Sequence, residues 1–549
     1  MKRQISQGKI MRRNSLIVFV LTILAASASQ AAKPTSTVEV ARQVDRLLTV
    51  ETIGQVSIGK LAKASSDDVF LRRVFLDIVG QPPTPNDVLA FALNESETKR
   101  VQLVSKLLAN SRYGVNWGRY WRDVILYRRS EPRALLAQRA LQDFLVKNLN
   151  ENKTWDKIAT SFVTAMGDVR EEGSTGLIMA QAGRPEETVA EVSRIFMGIQ
   201  IQCAQCHDHP TDRWKRQQFH QLAAFFPRVA IRPRRMGTQR TFLVVANDAP
   251  RFRRRRNNNN RYRGTMEHYM PNLKDPSSKG AKTQPVFFVT GKKLPYGTKD
   301  MARRTTLAKW LSARSNPWFA KALVNRLWSE LVGEGFYEPV DDMGPDRQCS
   351  APKTIDYLSN AFADSGYDVK WLFRTIMQTK AYQRQSKPRR NAEGTPYLAN
   401  CAQRLRGDQI LDSLVNVLDL PDNLAGRRGG GRGRRGLRFV FNSTFGYDPS
   451  TRRDEIKGSI PQALFLMNSP LLNRSIDARR RGGLGQLLRE ITNDQELTIE
   501  LYLKVLAREP SGSEIRTCLS YVREVKKRGE AFEDILWALV NSTEFVHRR

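Results

Sequence analysis

Cys203-Ala204-Gln205-Cys206-His207, followed by Asp208 and His209, gathers two of the chain's five cysteines and two of its five histidines into seven positions. At Cys-x-x-Cys-His spacing, two thiols can reach the two vinyl groups along one porphyrin edge while the adjoining imidazole ligates the iron. Cys203 and Cys206 would then carry haem c, with His207 as its axial ligand. Other chemistries compete for the same atoms. Cys203 and Cys206 with two of His207, His209 and His220 make up the donor set of a tetrahedral zinc site, and His209 counts toward zinc because haem c has no use for it. The two cysteines could also close a tight disulfide in an oxidising compartment, or remain free thiols. A sixth haem ligand would come from His220, in QQFHQLAAFF, or from Met266, His268 or Met270, in MEHYM. Asp341-Asp342, in EPVDDMGPD, is a weaker candidate, a carboxylate pair for acid and base work or a plain acidic turn.

The elements that must position these groups read as helices. EVSRIFMGIQIQCAQCHDHP sets Val192, Ile195, Phe196, Ile199, Cys203 and Cys206 at three- and four-residue steps. That periodicity predicts one helix carrying both thiols on one face and ending near Asp208 or His209, ahead of Pro210. TVEVARQVDRLL, ETKRVQLVSKLLAN and ALQDFLVKNL repeat the pattern, and RYGVNWGRYWRDVILY places Trp117 and Trp121 four apart as core residues. Thr84 before Pro85 reads as an N-cap. LLANSRY (107–113), IMQTKAY (376–382) and LVNSTEF (539–545) echo one another as helix ends from which an aromatic folds back on the core. PPTPNDVLAF and EPSGSEIRTCL read as matching helix starts. TFLVVAND and PVFFVTG interrupt the pattern as short strands.

The fold class expected is therefore mainly α: two helical domains with a small β-containing insert between them. The divisions fall at 1–31 for a signal peptide, 32–228 for the first helical domain, 229–300 for the insert and 301–549 for the second. MKRQISQGKIMRRN followed by SLIVFVLTILAASA has the basic flank and short apolar run of a secretory signal, so the protein is expected to be exported to the periplasm or cell envelope. Lysine and arginine number 89 against 55 acidic residues, a formal net charge of +34, which attracts polyanions. Export argues against nucleic acid and for an acidic redox partner, an anionic envelope polysaccharide or a lipid surface. RFRRRRNNNNRYRG and the Arg/Gly tract at 425–438 read as solvated loops.

RRVFLDIVGQPPTP, LLANSRYGVNWGRYW and SRIFMGIQIQCAQCHDHPTDRW resemble successive motifs of the cytochrome-like PSCyt domain of exported planctomycete proteins. NPWFAKALVNRLWSELVGEGFYEPVDDMG, GYDVKWLFRTIMQTKAYQRQS, QRLRGDQILDSL and SIPQALFLMNSPLL resemble those of its usual companion, the PSD domain. Both are domains of unknown function. The resemblance implies a c-type haem and with it redox or electron transfer. The alternative is a non-redox envelope protein with a structural zinc site and a basic, polyanion-binding surface. A hydrolase using Asp341 or Asp342 with the metal is a third possibility. The chain departs from the family where relatives tend to read Ser-His-Pro-Glu-Leu-Leu-Asp. Here Ala351 stands in place of the histidine, between Ser350 and Pro352.

Overall fold

Capping chemistry written in the sequence sets where several helices begin. Thr84 Oγ1 accepts the Asp87 N–H (3.2 Å) while the Asp87 carboxylate accepts the Thr84 N–H (3.1 Å), with Pro85 in the first helical position. Ser511 and Glu514 make the same reciprocal box more than four hundred residues later. The three echoed helix ends are equally alike: Tyr113, Tyr382 and Phe545 each follow a helix terminus and are fully buried.

These elements belong to a computed structural model that describes residues 36–52, 61–249, 262–387, 395–420 and 437–549. The signal-like run and most of both Arg-rich tracts lie outside the described residues. The molecule is mainly α, with a few small sheets. Strands β1 (Gly167–Asp168), β2 (Val229–Met236) and β3 (Gln239–Ala246) form an antiparallel sheet in the order β1-β3-β2. Strands β4 (His268–Met270) and β5 (Ala281–Thr283) make a short hairpin. The PVFFVTG run yields a two-residue strand, Val286–Phe287. Among the described residues no helix is long and apolar enough to cross a membrane.

Apolar side chains collect into two cores. One runs from Val40 to Tyr397 and contains Trp117, Trp121, Trp155, Trp328 and Phe373. The other runs from Leu405 to Val546 and takes in Leu76 from the N-terminal region. The helix Pro317–Val332 packs against both Pro185–Met197 and Pro352–Asp364, so the first core continues across residues 228 and 300. Between the cores lies the helix Asp67–Ile78. Its Arg72 donates to the carbonyls of Val505 (3.1 Å), Glu544 (3.2 Å) and Phe545 (3.1 Å), and its Asp77 pairs with Arg548 at 2.6 Å.

Candidate functional site

The helix Pro185–Met197 stops well before the cysteines. Gly198 takes a left-handed conformation (φ 67°) as its C-cap, and a Cβ there would meet the Met343 side chain at 2.8 Å. The expectation of one helix through Cys206 is thus corrected: a left-handed cap ends it five residues before the first thiol. Residues Ile201–Gln205 instead wind as a 3-10 turn. In that geometry side chains three apart eclipse one another. Ile201 and Ala204 accordingly point into the core, both fully buried, while Cys203 and Cys206 share the solvent side as free thiols. His207 is exposed beside them, and its Nδ1–H donates to the Asp208 carbonyl at 2.7 Å, which leaves Nε2 as the bare nitrogen. The Asp208 carboxylate accepts from the Arg216 N–H (3.0 Å) and Lys215 Nζ (3.1 Å), and those bonds hold it below the usual carboxylate range. His209 turns its Nδ1 to the Thr211 N–H at 3.3 Å.

Two buried histidines brace the turn from behind. His220 Nε2 faces the Gln205 carbonyl at 3.0 Å and must carry the proton. Its Nδ1 is then the acceptor for His268 Nε2–H at 2.9 Å. Burial pushes His220 down to about 4 and His268 down to about 3, so both imidazoles are neutral near pH 7. Burial also pushes up the carboxyl of Glu186, whose Oε1 lies 3.7 Å from His268 Nδ1. Arg216 ties the turn to the hairpin, donating to the carbonyls of Gln205 (3.3 Å) and Pro271 (2.5 Å). With both nitrogens engaged, His220 has no lone pair to offer a metal. Among the described residues no group of three or more His, Cys, Asp or Glu side chains is gathered to hold a metal ion. The zinc set of Cys203, Cys206, His209 and His220 is therefore not assembled. His268, considered as a sixth haem ligand, is committed to His220, while Met266 and Met270 are half-buried.

The other side of the turn is fixed by the loop 336–350. The Met343 N–H donates to the Gly198 carbonyl at 2.7 Å, and Gln200 Nε2 donates to Asp341 Oδ1 at 3.0 Å. Arg213 donates to Asp346 through Nε at 3.1 Å. The Asp212 carboxylate fills the space that a Cβ at Gly344 would need. Trp214 anchors the end of the segment, edge-on to Phe288 and Trp318. Asp341 itself is fully buried. Burial alone would raise its pKa, but the guanidinium groups of Arg194 (3.0 Å), Arg326 (3.5 Å) and Arg128 (3.8 Å) outweigh that and hold it down to about 2. A charge so buried and so fully paired cannot exchange protons with a substrate. Asp342 is paired with Arg347 at 3.0 Å. The acid–base reading of Asp341-Asp342 therefore gives way to a structural one: Asp341 holds the cysteine turn in place. Sequence reasoning missed this, although the i,i+3 pair Glu191 and Arg194 in EVSR was a visible hint of a buried ion network.

A family model described as PSCyt2, protein of unknown function (DUF1549), matches residues 55–230. A second, described as PSD1, protein of unknown function (DUF1553), matches residues 303–432. No curated protein and no solved structure matches the chain. The cysteine turn lies in the first matched region and the Asp341 loop in the second, so the contact between them joins the two domains. The chain belongs to the family in which a PSCyt2 domain is followed by a PSD1 domain.

Proposed function

We propose that the protein is an exported carrier of covalent haem c that acts in electron transfer. The observation that carries this reading is the solvent side of the 3-10 turn and its cap, where two exposed free thiols three residues apart stand next in sequence to an imidazole whose Nε2 is unengaged. This donor set fits the group: Cys203 and Cys206 would form the thioethers and His207 Nε2 would ligate the iron. Haem held there would supply one-electron chemistry at iron. The chain's own residues prepare the ligand. The Asp208 carbonyl accepts the His207 Nδ1 proton, which fixes the tautomer and orients the ring. Arg216 and Lys215 in turn hold Asp208. Ile201, Ala204 and Trp214 are spent in the core beneath the turn, so attachment rests on covalent bonds and ligation.

Expression of the full chain in a host that matures c-type cytochromes tests the reading. The expected product has a Soret band that survives acid–acetone extraction and is lost in Cys203→Ala and Cys206→Ala. A colourless protein from that host overturns it.

A further inference from the structure

We propose that the exposed end of the β2–β3 ribbon binds a linear sulfated polysaccharide. The base of the ribbon belongs to the first core, through Val229, Phe242 and Val244. Beyond the buried Thr241 the strands leave the body of the protein at Arg235 and Arg240, and Arg232 and Arg234 are exposed farther back along β2. Arg235 and Arg240 are direct cross-strand partners, so their side chains leave the same face side by side. Like charges placed directly opposite destabilise an antiparallel pair. Neither has an acidic partner among the described residues. Arg170 is exposed nearby and donates through Nε to the Arg240 carbonyl at 3.1 Å, adding a cation at the same end. Asp168 approaches only Arg234, at 3.8 Å, from the opposite face.

A merely solvated charged surface has no reason to pay for a repelling pair on a two-stranded ribbon. A site awaiting an anion does, because one sulfate bridging two guanidinium groups turns the repulsion into paired, charge-assisted hydrogen bonds. Arg232 and Arg234, two apart on the opposite face and so on the order of 7 Å from each other, add exposed cations there, so an extended chain of repeating anions meets positive charge on both faces of the ribbon. Nucleic acid would call for exposed rings on which bases could stack, and Phe242 is buried with Arg133 over its ring. A membrane would call for several apolar residues at the tip, and the sequence there, Arg235-Met236-Gly237-Thr238-Gln239-Arg240, holds a single one, Met236. The inference is independent of the haem reading.

Heparin serves as the probe, titrated calorimetrically into the full chain across a salt series. Arg235→Gln/Arg240→Gln is compared with Lys292→Gln/Lys293→Gln, which removes the same charge from an exposed hairpin elsewhere. The ribbon variant is expected to bind about tenfold more weakly in physiological salt and to show a shallower salt dependence, with the control staying within about twofold. Its thermal midpoint is expected to equal or exceed that of the parent, because a repulsion has been removed. Equal weakening of both variants would mean diffuse attraction and overturn the proposal, as would a lowered midpoint, which would trace the loss to a damaged sheet. Unchanged heparin binding with selective loss of binding to single-stranded DNA or to phosphatidylserine vesicles would overturn it in favour of that partner.

Discussion

Asp341 shows how much one carboxylate can organise. Three guanidinium groups and the Gln200 amide converge on it, and Gln200 directly precedes the cysteine turn. Asp341→Ala would take a carboxylate from the buried guanidinium groups of Arg194, which keeps Glu191, and of Arg326, and is expected to cost about 3–5 kcal/mol in urea denaturation. Cys203 and Cys206 should then react faster with a maleimide at denaturant concentrations that leave the parent folded. The histidine pair makes a separate prediction about pH. Both imidazoles titrate below their unfolded value of 6.5, so between pH 6.5 and about 4 the unfolded chain binds protons that the folded chain refuses. The stability they contribute is complete above pH 6.5 and is lost as the pH falls through that window. Thermal midpoints measured from pH 7 to 4 should fall, and the fall should be shallower in His220→Gln/His268→Gln. Cys203, Cys206 and His207 could be grouped from the sequence because their spacing is local, and all three are exposed on one short stretch of chain. The bracing role of His220 was not legible there, because its partners are a backbone carbonyl and a histidine 48 residues away.

Among elements, helix starts were easier to read than helix ends. Thr84 and Ser511 announce themselves because a capping box is completed within four residues. The helix Pro185–Met197 stops at Gly198 for a reason outside itself: the apolar steps continue, but the backbone turns left-handed where Met343 closes over it. Gly198→Ala, strained at φ 67° and pressed on Met343, is expected to cost about 1–2 kcal/mol and to shift the turn, read as altered thiol reactivity at Cys203. Ser511→Ala, at the exposed cap of a helix that packs into the second core, should cost about 1 kcal/mol and leave that reactivity unchanged. Ala351 is explained at this scale too. It is a fully buried N-cap without a side-chain acceptor, and Glu51 supplies the caps instead, accepting the N–H groups of Lys353 (2.7 Å) and Thr354 (2.9 Å).

Over the whole molecule, the mainly α class was readable from periodicity, but the division of the core was not. The strands and the helices 300–378 share a core with the N-terminal helices, because Trp328, Phe373 and Tyr382 find their apolar partners among residues 70–126 and 336–397. No local pattern reports such pairings. Besides Leu76, which packs in the second core, the ties between cores include ionic and peptide-directed ones made by Arg72, Asp77 and Arg548. Arg548→Ala should therefore destabilise the molecule by about 3–5 kcal/mol, and hydrogen exchange should show lost protection in the helix Asp67–Ile78 as well as around Phe545.

The grip on Arg72 has a consequence in time. Its carbonyl partners lie 433 to 473 residues further along the chain. At ribosomal speeds of roughly 5–20 residues per second, that guanidinium waits on the order of half a minute or longer for its acceptors to be made. The helix Asp67–Ile78 therefore gains these three acceptors only once nearly the whole polypeptide has been synthesised, and its final seating is a late event in the life of the nascent chain.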